Sequence, residues 1–448
     1  MSANSAPKTV TEVARSTPVA GEFDVIVCGG GPAGFAAAVA AAERGASTLL
    51  IERYGFLGGT GTAAMMVEFG SIHDGAAVTV GGLTHRFLHR MVDHGGAIMR
   101  DPDSHRVVYD PESMISVCQD MTEASGARML LHAQVAGAVR EGDRVTGVIV
   151  ESKSGRQAYL GRAVVDATGD GDVAARAGAR FHLGREGDGK MQPVTLVVLV
   201  GNVDATRCDG PALKKALNES IPAAKKAGEW PIPTDCFFSC SRVLKRGEPD
   251  DPTRAFFFMN VTNALGVDGT RAEDLTRAEL ETRRQVGPLV RFLRKRAPGF
   301  ENCYLDRTAA QVGIRETRRV VGDYTLTGKE VLAATHFEDG IAPSHQTIDV
   351  HDVDGRAFEH GCLKRGTHYE IPYRCLLPAG LEGLLLAGRC ISVDHHALGS
   401  IRRMVTCMPV GEACGVAAAM AAARGGSPRG IPVASLREEL RRGGTLLG

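Results

Sequence analysis

The run Asp24-Val-Ile-Val-Cys28, followed by Gly29-x-Gly31-x-x-Gly34, constrains this chain more than any other feature. An Ala-rich stretch from Phe35 to Arg44 comes next, stops at Gly45, and leads into a second apolar run, Thr48–Glu52. Strand, glycine turn, helix and strand in this order call for a parallel pair with a helical crossover. Each glycine has its own reason. Gly29 permits the tight turn, Gly31 admits a pyrophosphate against the backbone, and Gly34 lets helix and strand pack closely. The anion would rest on the helix N-terminus, which Pro32 and Ala33 open. Glu52, about 20 residues further on, is placed to accept hydrogen bonds from adenosine ribose hydroxyls. The unit predicts dinucleotide binding.

The rest of the chain extends this unit. Asp110-Pro111-Glu112 offers an N-cap, a proline at the first helical position and an early acid, so a helix is expected to about Ser125 with a stop at Gly126. From Arg128 to Asp166, short β runs alternate with turns at Glu141-Gly142-Asp143 and Lys153-Ser154-Gly155. They read as a β-meander inserted into the first unit. Residues 196–375 mix β-like segments (Thr195–Val200, Ala255–Val261, Thr308–Ile314, Ile371–Arg374) with helices near Pro211–Gly228 and Arg271–Arg296. Then come a buried strand at Leu384–Ala387, a helix in small residues at Val410–Arg424, and a short amphipathic helix at Val433–Gly443. The expected fold is α/β. A Rossmann-like domain, a parallel sheet with an inserted β-meander, is assembled from residues 22–195 and 376–430. A β-rich α+β substrate domain spans 196–375. Residues 1–21 read as a flexible polar lead-in and 431–448 as a C-terminal helix and tail.

Composition removes several classes of function. Lys+Arg and Asp+Glu are both 52, so no basic excess is available to grip nucleic acid or an anionic membrane. The 11 cysteines include no Cys-x-x-Cys, which removes the four-cysteine zinc and iron–sulfur patterns. Reduced thiols, a start without an apolar leader and no apolar stretch near 18 residues point to a cytoplasmic protein. His85 and His89 have metal-like spacing but no third ligand signature, so no metal is expected. The run Arg291–Arg296 reads as an exposed helix end.

NAD and FAD share the glycine fingerprint, so the residues beyond it must discriminate. Arg53 follows the acid and leads into a second glycine-rich loop, Gly58-Gly59-Thr60-Gly61-Thr62. Val164–Asp166 runs into Ala167-Thr168-Gly169-Asp170, and a third strand ends at Gly388-Arg389. These parts, with Val135 of the meander, would surround an extended FAD, which an NAD half-site does not require. In this setting the chain resembles the glutathione-reductase-like FAD flavoproteins. More closely, it resembles a bacterial family of FAD-dependent oxidoreductases related to the succinate dehydrogenase/fumarate reductase flavoprotein and the heterodisulfide reductase A subunit. The landmarks run through nearly the whole chain, including Gly189–Leu196, Val312–Thr327, Ile371–Pro378 and Ala387–Ala422.

The resemblance implies FAD, and it places Asp394-His395-His396, read as a turn, and Gly399-Ser400-Ile401-Arg402 beside the isoalloxazine. His395 and His396 suit proton transfer near neutrality, with His396 ranked ahead. Arg315, Arg318 and Arg402 would hold an anionic substrate or stabilise charge on reduced flavin; Arg315 and Arg402 are taken with the histidines as the catalytic set. Ser400 and Gly411 are assigned to the cofactor. The helix read as starting near Pro409 would aim its N-terminus at the pyrimidine edge, with Glu412 turned away or protonated. His345 is noted as a possible pocket residue. No second glycine fingerprint supplies an NAD(P)H domain, and no cysteine pair supports disulfide reduction.

The expected activity is hydride removal from a C–H bond of a small organic substrate onto flavin N5, with reoxidation by oxygen or another acceptor. A flavin monooxygenase or an externally reduced reductase is the alternative, and a non-redox flavoprotein the second. The small-molecule substrate is the expected partner. Its identity, the electron acceptor and a homo-oligomeric state stay open.

Overall fold

The structure, a computed structural model, describes residues 9–99, 107–208, 210–237, 239–355 and 358–448. The first eight residues of the expected lead-in therefore lie outside the described residues. Val25–Cys28 and Thr48–Ile51 are fully buried apolar runs, as strands covered on both faces of a parallel sheet must be. Val19–Cys28 is central, with Thr48–Ile51 and Gly155–Asp166 parallel on either side. Arg128–Leu130 extends the sheet beyond Thr48–Ile51.

Gly155–Asp166 serves two structures at once. Its first half pairs antiparallel with Arg144–Ser152, which pairs in turn with Gln134–Glu141. Its last three residues pair in parallel with Leu384–Leu386. The meander thus shares a strand with the parallel sheet. Cys28 is in register with both Ile51 and Asp166, and Asp166 with Leu386. All four strands therefore end on one edge, where α/β sheets bind ligands.

The first helix, Pro32–Ala42, has no polar face and is buried almost throughout. The closing helix, Met404–Ala423, lies along it. A side chain at Gly411 would collide with the Ala33 carbonyl, and one at Gly415 with the Ala37 carbonyl. The small residues thus let two backbones meet. The closing helix starts at Met404, six residues before the expected Val410, and Pro409 lies inside it. Proline costs an interior hydrogen bond, but Met404–Met408 are all buried, and that burial holds the extra turn. The helix is long and apolar enough to cross a membrane, and 94% of its apolar window is buried against the rest of the protein. It is a core helix of this fold.

The remaining sheets are antiparallel. Ser239–Val243, Ala255–Asn260, Val198–Val203 and Tyr304–Thr308 form one sheet in that order. The last of these strands ends at Thr308, where the sequence suggested a start. Beyond it a single bridge joins Thr195 and Gly313, and the chain to Thr317 is irregular. Two hairpin-like pairs, Gly340–Ser344 with Tyr369–Pro372 and Ile348–His351 with Phe358–Gly361, complete this part. Asp394 is a helix cap, its carboxylate accepting from Ala397 N–H at 2.7 Å. His395–Ile401 is therefore a helix where a turn was expected.

Candidate active site

The cofactor cradle forms at the shared strand edge. Gly31 caps the first helix without a side chain, so the first-turn N–H groups, which have no partner inside the helix, face outward. Opposite stands the second glycine loop. Gly58 N–H donates to the Gly30 carbonyl at 2.8 Å, and a side chain at Gly31 would meet nothing nearer than Gly59 Cα at 3.8 Å. Thr62 closes this loop by donating to the Leu57 carbonyl at 2.8 Å, and Met66 N–H donates to the Thr60 carbonyl at 3.0 Å. Gly388, with φ +86°, brings the turn after Leu384–Leu386 against Ala33. Glycine and alanine backbone therefore line a gap that any larger side chain would fill, as a pyrophosphate site requires.

Glu52 is 6% exposed, and its two oxygens accept from Gly30 N–H at 2.6 Å and Tyr54 N–H at 3.0 Å. Its remaining lone pairs suit ribose hydroxyls. The segment leading to Val135 runs alongside, with Ala133 N–H bonded to the Glu52 carbonyl at 3.0 Å. Arg53 is exposed, lies over the Tyr54 ring and donates to Gln311.

At the other end, Ala167 N–H donates to the Cys28 carbonyl, and Thr168 is held by Asp166. Asp166 is fully buried. Burial raises its pKa to about 6, against hydrogen bonds from Ala174 and Thr168 that favour the anion. Gly169, at φ +80°, leaves room for the Arg389 guanidinium, which donates to Asp170 at 2.6 Å. Thr317 donates to the same oxygen at 2.7 Å. These contacts tie the turns after Gly155–Asp166 and Leu384–Leu386 to Thr317. The residues present fit an extended FAD.

Several expected roles change. Ser400 is fully buried, donates to the Gln346 carbonyl at 2.5 Å and pairs with Tyr369, so its hydroxyl is committed to positioning backbone. Gly411 is committed to Ala33, behind the cradle. Arg318 holds the Asp170 carbonyl and Asp172. His345 is bonded to Thr79 and Gln346, and burial pushes its pKa down to about 4. His396 stands in solvent beside Glu359, at 3.1 Å with side chains 55% and 65% exposed, which removes the reason for ranking it above His395. His85 and His89 lie 3.2 Å apart on their helix, and no metal-binding group occurs among the described residues.

Glu412 points away from the crevice, toward Leu83 N–H at 3.1 Å, with Arg44 and Arg86 near. Burial raises its pKa to about 7 despite these partners. The folded protein therefore holds a proton that the unfolded chain releases, and this contribution is lost as pH rises from about 4.5 through 7. The Glu412→Gln variant should lose less stability than wild type between pH 5 and 8, by roughly 3 kcal/mol, with Asp166 still adding a slope of the same sign. Urea melts at both pH values test this; parallel pH profiles would contradict it.

On the far side of the crevice, His395 Nδ1 lies 2.8 Å from Glu316. Glu316 is 1% exposed and also accepts from Arg319 at 2.5 Å and from Gln192 N–H at 3.2 Å. Thr317, the next residue, reaches Asp170, so the pair is tied to the Asp170–Arg389 contact. Arg315 donates to the Pro193 carbonyl at 2.6 Å, to Thr195 at 3.0 Å and to Asn260 at 3.3 Å. Burial, with help from the Arg402 charge, lowers its pKa to about 9. Burial lowers that of Arg402 to about 10, and both groups stay cationic at neutral pH. Burial opposes charge on Asp349, but His351, Arg402 and Arg403 outweigh it and hold the carboxyl far below its ordinary range. His351 is kept neutral, its pKa near 3 from burial and the Arg315 charge.

Glu316, Gln192, Asp349, His351 and Arg403 were not anticipated. Asp349 and His351 alternate on one strand and so share a face, a signal present in the sequence. Glu316 lies within the stretch Val312–Thr327 and Gln192 within Gly189–Leu196, both of which carry the family resemblance.

A Rossmann-like sheet with a glycine cradle, a buried acid ending the second strand and a second glycine loop has the architecture of a dinucleotide-binding protein. A family model described as FAD dependent oxidoreductase matches residues 24–440, and the chain belongs to that family. It is an FAD-dependent oxidoreductase, and FAD is its cofactor. Among curated proteins, leghemoglobin reductase of Glycine max is 39% identical over 74 residues, 16% of this chain and 13% of that protein. Thiamine thiazole synthase of Methanococcus vannielii is 27% identical over 159 residues, 33% of this chain and 56% of that protein. Both matches take in less than two thirds of the relative. The solved structure of a geranylgeranyl bacteriochlorophyll reductase-like protein from Thermoplasma acidophilum aligns with 94% of this chain and 82% of its own, at 13% identity and TM-score 0.48.

Proposed function

We propose that this protein oxidises a small organic substrate by removing hydride from a C–H bond while His395 takes up the accompanying proton. FAD, when bound, supplies the two-electron acceptor at flavin N5. The observation that carries this reading is the buried His395–Glu316 pair, connected through Thr317 to Asp170 and Arg389 at the flavin end. Glu316 engages Nδ1, which orients the ring and leaves Nε2 to face a substrate. Gln192 and Arg319 hold Glu316 in place, so the base is pre-set rather than assembled on binding. The kinship with the succinate dehydrogenase and heterodisulfide reductase flavoproteins belongs to the same reading and rests on the sequence landmarks.

Anaerobic mixing tests it. One or more of a panel of small metabolites should bleach the flavin with no nucleotide present. Bleaching by NAD(P)H alone would favour the externally reduced alternative, and bleaching by neither would favour a non-redox role.

A further inference from the structure

Three guanidinium groups converge where the residues before the closing helix face the strand Ile348–His351. Arg402 donates to the Asp349 carbonyl at 2.7 Å and approaches its carboxylate at 3.4 Å. Arg403 donates to the same carboxylate at 2.9 Å. Arg315, 7% exposed, finds only the neutral acceptors of Pro193, Thr195 and Asn260. One carboxylate thus answers three cations. Of the nearby acids, Glu316 is engaged by Arg319 and His395, and Asp170 by Arg389. Burying an uncompensated cation is costly, so this cluster is incomplete without an anion.

The hydrogen bonds lead to the same place. Arg402 Nε, Arg403 Nε and Gln192 Nε2 are buried donors with no hydrogen-bond partner among the described residues. Gln192 is 1% exposed and already uses Oε1 to accept from His351 N–H at 3.0 Å. A ligand that meets these donors must bring negative charge and several acceptor oxygens. A carboxylate does both, and a planar guanidinium matches its geometry.

We propose that Arg402, Arg403, Arg315 and Gln192 form a subsite for a carboxylate of the substrate, which is therefore a small organic acid. The assignment takes the word substrate from the hydride-removal reading above, while carboxylate binding itself needs no turnover. Reduced flavin also carries negative charge at N1 and O2. The position favours the substrate, because Arg315 hangs from Pro193, Thr195 and Asn260, and Asp349 belongs to the Ile348–His351 pair. Arg389, tied to Asp170, is the cation at the flavin end.

The test uses the FAD-loaded full chain and calorimetric titration with acetate, malonate and succinate, each against its uncharged primary amide. The acids should bind saturably and the amides should not. Arg403→Gln, in a half-exposed position, should weaken acid binding by at least about tenfold, and Arg403→Lys should recover part of it. Arg315→Lys serves as a second variant if Arg403→Gln misfolds, and it should also weaken the acids by disturbing the planar contact. Equal binding of amides and acids, or wild-type acid binding in the variants, would overturn the subsite. A changed flavin midpoint potential with acid binding intact would overturn it too, by returning the arginines to the flavin. If the acids bind as expected and no metabolite bleaches the flavin, the hydride reading fails and the subsite stands.

Discussion

A Gly34→Val protein should purify colourless, with little or no bound flavin. The position has no room for a side chain. A Cβ there would collide with the Gly29 carbonyl and lie 3.0 Å from the Ala167 side chain. Gly29 cannot retreat. At φ +100° it sits against Ala167 and Thr168, where even its own missing Cβ would be 2.7–2.9 Å from backbone carbon. Valine would push the first helix off the strand edge, turn its N-terminus away from the pyrophosphate and open the contact between Ala33 and Gly411. Overpacking of this kind costs about 3 kcal/mol or more when the neighbours are backbone. The flavin-to-protein ratio and a urea melt measure both effects. A stoichiometrically loaded variant of wild-type stability would refute the account of the cradle.

His395→Ala should keep its FAD and slow anaerobic flavin reduction by the substrate about 10²- to 10⁴-fold, the usual worth of a positioned proton acceptor. Glu316→Gln should keep part of that rate and move its pH profile, because the amide no longer favours the imidazolium that forms during the reaction. His396→Ala is the comparison: it removes a solvent-exposed pair with Glu359. Equal loss of rate in the two histidine variants would mean that burial does not separate their roles. An unchanged rate in His395→Ala would remove it from the reaction.

The determinants of the glycine cradle lie close together in the sequence, so local rules reach them. Gly29, Gly31 and Gly34 sit between one buried strand and one helix, and Glu52 ends the next strand. Backbone geometry and chain direction then allow few arrangements. Asp110 and Gly126 bound their helix for the same reason, since a cap is a property of a few adjacent residues.

The substrate side has no such locality. Arg315, Asp349 and Arg402 are far apart in the chain, and only the folding of the antiparallel strands against the closing helix brings their charges together. Local signals also misled where burial opposed them. Pro409 reads as a helix start, yet the buried residues from Met404 to Met408 carry the helix past it. His395 and His396 are alike in sequence, and the helix capped by Asp394 sends one toward Glu316 and the other into water. What the sequence by itself determined about this protein is the strand–turn–helix–strand cradle and its dinucleotide-binding pattern, because neighbouring residues specify them through backbone sterics. Which histidine is buried, which cations lack a counterion and where the closing helix begins were decided by tertiary structure, because burial and charge depend on residues distant in the chain, from Asp349 beside Arg402 to Ala33 beside Gly411.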